Sequence, residues 1–106
     1  MAKFLIEAAY TAEGLRGLKK DKASGRKQAV TKLVKSVGGK VEAFYFAFGD
    51  RDLIMIADLP DAVSATALSV SVSATGLART RVTELLTVED TDRALGKKVK
   101  YRAPGA

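Results

Sequence analysis

Residues 40 to 59, KVEAFYFAFGDRDLIMIADL, contain two short alternating runs on either side of Gly49-Asp50-Arg51-Asp52. In the first, Phe44, Phe46 and Phe48 share one face and Tyr45, between Ala43 and Ala47, lies on the other. In the second, Leu53, Met55 and Ala57 oppose Ile54 and Ile56. Period-two spacing of aromatic and apolar residues marks strands, and the four-residue break marks a hairpin turn. Both faces of this hairpin are apolar. A sheet covered by helices on one side only should be polar on the other, so the second face needs a cover, and another copy of the chain is the simplest one.

The flanking segments complete the pattern. KFLIEAAY, residues 3 to 10, places Phe4, Ile6, Ala8 and Tyr10 on one face and Lys3, Leu5, Glu7 and Ala9 on the other. Thr11 then caps a short first turn that Gly14 and Gly17 weaken, and KKDKASG reads as an exposed loop. From Arg26 the stripe Ala29, Val30, Leu33, Val34, Val37 predicts an amphipathic helix that Gly38-Gly39 stops. Pro60 and Asp61 open a second helix running to about Thr75. LARTRVTELLTV is a fourth strand, and TVED starts a last short helix. The order is the α+β, ferredoxin-like βαββαβ plan: a four-stranded antiparallel sheet with both helices on one face, the first and third strands central. Residues 1–96 form this single domain, and 97–106 form a basic tail expected to pack only through Val99 and Tyr101.

Composition narrows the chemistry. The chain has neither cysteine nor histidine. Disulfides, thiolate chemistry, the commonest neutral-pH base and the commonest transition-metal ligand are therefore all missing. No cofactor is expected. At 106 residues one core is the rule, and no apolar run is long enough to span a bilayer. The N-terminus runs straight into a strand pattern without a signal-peptide cleavage site, so the chain reads as cytoplasmic and free of the membrane. The formal charge of +6 makes an anionic partner conceivable, but the basic residues cluster in the tail and around Lys19, Lys20, Lys22, Arg26 and Lys27, where a solvated surface accounts for them.

Charges inside the alternation are the nearest approach to a site. Glu7 lies on the first strand's second face, and Arg79 and Arg81 share a face of the fourth strand, its expected neighbour. A Glu7 pair with Arg79 or Arg81 would lie across the open face, either as an interfacial salt bridge or as a contact leaving one Arg for an anionic ligand. Tyr10 and Tyr45 are candidate hydrogen-bond donors in a pocket, although aromatic strand residues commonly serve as core. Asp50 and Asp52 are explained by local backbone bonding in a turn. Glu89, Asp90 and Asp92 complement a helix dipole and need no metal ion. From Ala62 through Ala78 there is no charged residue, which suits either close packing against a neighbour or a serine-rich solvated face.

Together KFLIEAAYTAEGLRGL, VGGKVEAFYFAFGDRD, DLPDAVSATALSVSVSATG and ARTRVTELLT resemble the GYD-domain family of small bacterial proteins. The likeness covers nearly the whole chain. It implies a dimeric α/β-barrel assembly, two ferredoxin-like sheets packed face to face. Of the family's Gly, Tyr, Asp signature, Gly49 and Asp52 match, and Arg51 stands at the tyrosine. The family brings no assigned activity.

Three functions follow as expectations. The first is a self-associating module binding a small anionic or aromatic molecule through Glu7, Tyr10, Tyr45, Arg79 and Arg81. The second is a cofactor-independent enzyme of monooxygenase or isomerase type, with Glu7 as a base in an enclosed site. The third is single-stranded RNA binding, disfavoured because the third strand, DLIMIADL, lacks the aromatics on which bases would stack.

Overall fold

A computed structural model describes the whole chain, Met1 to Ala106. The elements run β1 (Ala2–Tyr10), α1 (Ala12–Ser36), β2 (Lys40–Phe46), β3 (Leu53–Leu59), α2 (Ala62–Ser73), β4 (Ala78–Leu85) and α3 (Val88–Leu95). The strands form one antiparallel sheet in the order β2-β3-β1-β4. β1 and β3 are central, as the plan requires.

Alternation decides the layers. Phe4, Ile6 and Ala8 of β1 and Leu53, Met55, Ala57 and Leu59 of β3 are buried, with Val34 of α1 and Ala65 and Leu68 of α2 closing over them. Phe44, Phe46 and Val82 pack at the margin of this core. α1 lies on β1 and β2, and α2 lies on β4 and β3. Ser69 and Ser73 of α2 turn inward onto the Thr80 hydroxyl of β4, so part of the serine face is spent inside the chain. Val63 and Val70 of that helix remain exposed.

The largest departure from the sequence reading lies at residues 19–25. KKDKASG is helical, and α1 is two helical segments joined at Lys22, whose φ of 66° and ψ of 168° are non-helical. Lys and Ala favour helix, and one residue suffices to change its direction. The basic residues placed around a loop therefore stand on α1. Gly14, which had weakened the first turn, is required there: a Cβ would come 2.0 Å from the Leu77 carbonyl oxygen. Thr11 caps this turn, accepting from the Gly14 N–H, and donates its own N–H to Leu77. At the other end Gly38, with φ 81°, and Gly39 donate back to Lys35 and Val34, satisfying the last carbonyls of α1.

Three smaller differences are local. Pro60 stands before the helix, and Asp61 is the N-cap of α2, accepting from the Ser64 N–H at 2.8 Å. The Asp52 carbonyl closes its own loop by accepting the Ala47 N–H, but the Asp52 side chain does not bond there. Its Oδ2 accepts the Tyr10 N–H at 2.7 Å while its N–H donates to Ala8, tying the β2–β3 loop to β1. The tail does not pack through Val99 and Tyr101, which are 79% and 76% exposed. Its run of Lys97, Lys98, Lys100 and Arg102 keeps it solvated, and with α3 it projects from the sheet. The radius of gyration is 16.8 Å, against about 13 Å for a compact chain near this length.

Candidate functional site: a helix-side cleft and an open sheet face

The five residues singled out from the sequence fall on opposite sides of the sheet. Glu7 stands opposite Ile54 on one side and Arg81 on the other, and Ile54 in turn stands opposite Tyr45. Tyr45, Ile54, Glu7 and Arg81 thus form one row across the uncovered face, with Arg79 in the next row beside Ala9. Register favours Arg81 over Arg79 as the neighbour of Glu7. The side chains are nevertheless unpaired, since the four ion pairs of the chain are Lys3–Glu42, Lys3–Asp58, Arg26–Asp21 and Arg93–Asp90.

Leu5, Ile54, Ile56 and Ala43 make the centre of this face apolar, and each is only half-buried. Tyr45 is 69% exposed. At the far end Lys3 bridges Asp58 at 2.9 Å and Glu42, which sits at the bulge between Val41 and Ala43, at 3.1 Å. The hydrogen bonds that Lys3 donates, to Asp58 first and then to Glu42, hold its ammonium above the ordinary lysine range. The central strands present no aromatic ring on this face.

Tyr10 faces the other way, into a cleft of about 380 Å³ between the helices and the sheet. Its walls are mostly aliphatic: Ile6, Leu53 and Met55 from the sheet, Val30 and Leu33 from α1, and Leu68 and Val72 from α2. Polar groups enter at few points, among them Tyr10, Asp21, Arg26, Ser71 and Thr80. A concave, mainly apolar space with a few polar groups, in a volume of roughly 300–1,000 Å³, is the usual form of a small-molecule site. The fold makes this space by holding α1 and α2 apart: Gly14 brings the start of α1 down onto Leu77, and the turn at Lys22 redirects the rest of the helix over β2.

Arg26 is the group that sequence reasoning assigned to a solvated surface and that the fold brings to the cleft. Its guanidinium lies 3.6 Å from the Asp21 carboxylate, and its Nε is closed off from solvent with no hydrogen-bond partner. In the sequence Arg26 opens the predicted helix but lies off its apolar stripe, and so reads as solvated. It stands on α1 one turn before Ala29 and Val30, at the lining of the cleft. No cluster of three or more metal-capable side chains comes together anywhere in the chain, and no helix is long and apolar enough to cross a membrane.

A family model described as the GYD domain matches residues 4–95, most of the chain and all of its sheet and helices but the first two residues of β1. The chain belongs to the GYD-domain family. Neither a curated protein nor a solved structure matches it. In this GYD domain the signature positions meet the fold at one place: Gly49 and Asp52 form the β2–β3 loop, and Asp52 fastens that loop beside Tyr10 at the edge of the cleft. Arg51, standing at the tyrosine, is half-buried in the same loop.

Proposed function

We propose that this GYD domain binds a small molecule in the helix-side cleft and assembles with copies of itself through the open face of the sheet. The observation that carries the reading is the cleft itself, a preformed apolar space into which Tyr10 and Arg26 bring hydrogen-bonding groups. Self-association is supported by Leu5, Ile54, Ile56 and Tyr45, a contiguous apolar patch that solvent otherwise meets directly. The projecting arm adds to it, since Leu86, just before α3, and Val88 and Leu95 on it are exposed.

Native mass spectrometry of protein purified from cells, with gentle activation, tests both halves. The expected result is a dimer or larger assembly carrying a discrete extra mass. Ala29→Trp, which fills the cleft from an exposed lining position, should remove the extra mass and leave the assembly. Ile54→Lys should do the reverse, giving a monomer that keeps the mass. An extra mass that survives Ala29→Trp would move the ligand out of the cleft, and a wild-type monomer would overturn assembly through the sheet.

A further inference from the structure

The helix that borders the cleft is strongly basic. α1 carries eight basic residues and two acidic ones, an excess equal to the +6 of the entire protein. Such a helix creates a positive potential over the space it borders and raises the local concentration of anions there. Of these basic residues, Arg26 is the one that lines the cleft itself. Its one charged neighbour, Asp21, is 3.6 Å away and about half exposed. That separation is longer than a hydrogen bond, and a pair so open to water holds its partners weakly. The guanidinium is therefore left with unspent N–H groups, one of them, on Nε, shut away from water without an acceptor. A buried donor in that state gains from any acceptor brought to it.

Resting on the reading of the cleft as a binding site, we infer that its ligand is an apolar monocarboxylate whose carboxylate is taken by Arg26. The aliphatic walls receive the hydrocarbon or aromatic body, and the guanidinium offers the planar fork that a carboxylate matches with two parallel hydrogen bonds. A single guanidinium with Asp21 beside it suits one negative charge, whereas a phosphate dianion would face the Asp21 carboxylate with no second cation in the cleft wall. Nε is closed off in the present conformation. Engagement requires Arg26 to turn its long side chain, which is 32% exposed. The incoming carboxylate then displaces Asp21 from the guanidinium.

Calorimetric titration of the intact protein with three probes of one shape tests this: naphthoate, naphthyl phosphate and ethylnaphthalene. Naphthoate should bind at least about tenfold more tightly than ethylnaphthalene, the effect of one charge-assisted contact, and more tightly than naphthyl phosphate. Arg26→Met, which keeps the length and apolar stem of the side chain, should erase that gap while leaving ethylnaphthalene binding in place. Asp21→Asn should tighten naphthoate several-fold by removing the competing carboxylate, and it does so without touching Arg26 should the Met variant fold poorly. Equal binding of naphthoate and ethylnaphthalene in the wild type would overturn the carboxylate inference while the cleft stood as a binding site. Preference for naphthyl phosphate would overturn the choice of a monoanion. Binding of none of the three would remove the cleft reading itself, and the inference with it.

Discussion

Gly14→Ala should destabilise the domain, although helix propensity alone says the opposite. In the interior of a helix, replacing Gly by Ala gains about 1 kcal/mol. Here the new Cβ would lie 2.0 Å from the Leu77 carbonyl oxygen, 3.0 Å from its carbon and 3.1 Å from Tyr10 Cδ1. Ordinary contact needs about 3.5 Å, so the helix start must move by more than an ångström. Leu77 cannot yield freely, because its carbonyl accepts the Thr11 N–H at 2.9 Å and the Thr11 hydroxyl at 3.2 Å. Moving α1 away loosens that backbone bond, worth about 1 kcal/mol, and the Thr11 cap, worth about another 1 kcal/mol. Overpacking adds about 1–3 kcal/mol. After subtracting the propensity gain, the net loss is about 2–4 kcal/mol, a fall in Tm of roughly 10 °C or more for a domain of this size. Gly17→Ala is the matched control, since a Cβ there meets nothing within 4 Å, and it should gain up to about 1 kcal/mol. Urea denaturation followed by far-ultraviolet circular dichroism, at one fixed protein concentration, reads both. If Gly14→Ala stabilised the domain as Gly17→Ala does, the close approach of α1 to Leu77 would be wrong.

Lys22→Gly should raise stability by about 1 kcal/mol, because φ 66° with ψ 168° lies in a region that essentially only glycine occupies without strain; a loss in the same urea titration would mean a straight helix at this point. Asp52→Ala should cost about 1–3 kcal/mol by leaving the Tyr10 N–H without its acceptor. Asp52→Asn should recover most of that loss, with the Tyr10 amide resonance in a nitrogen–proton correlation spectrum reporting the bond. The Ser64 backbone N–H, then its side chain, holds the Asp61 carboxyl below the ordinary aspartate value of 3.8. A lowered folded-state value means stabilisation that is full above 3.8, declines as pH falls below it and is gone beneath the folded value. Asp61→Asn, an equally good cap, should therefore flatten the acid limb of Tm against pH while leaving neutral Tm nearly unchanged; an identical acid limb would assign the pH dependence to other carboxylates.

The sheet was legible because its signal is strong and local. Phe4, Ile6 and Ala8 alternate with Leu5, Glu7 and Ala9, and the period-two runs of β2 and β3 on either side of Gly49-Asp50-Arg51-Asp52 mark a hairpin. Helix ends were legible where a cap or a glycine pair writes them, at Thr11, Thr87 and Gly38-Gly39. What could not be read depends on partners distant in sequence. Gly14 looks like a poor helix residue until Leu77 is placed against it, sixty-odd residues on. Asp52 looks like a turn residue until β1 supplies the Tyr10 N–H. KKDKASG looks like a loop because its charges interrupt the apolar period, and Arg26 looks solvated because it lies off the stripe of Ala29, Val30 and Leu33. The tail fails in the opposite sense: Val99 and Tyr101 look like anchors, but the four basic residues among them oppose burial and the chain offers no surface beside them.

The period-two alternation that defines the sheet also separates its two sides. Ile6, Ala8 and Tyr10 of β1 reach the cleft, while Leu5, Glu7 and Ala9 look across the open face. Ala78 and Thr80 of β4 line the cleft, and Arg79 and Arg81 face away from it. The helices that roof the cleft stand on the side opposite the open face. Assembly through that face would therefore leave each cleft directed outward, reachable by ligand in every copy. Glu7 then belongs to the interface and Arg26 to the cleft, so a single site using both is excluded by the pleat of β1. The Asp52 loop stands on the cleft side, through its bond to Tyr10 at the cleft rim and its place next to Leu53 of the cleft wall. Any coupling between assembly and ligand would run through the strands that both faces share, and Asp52 is the residue at which the family signature meets the cleft rim.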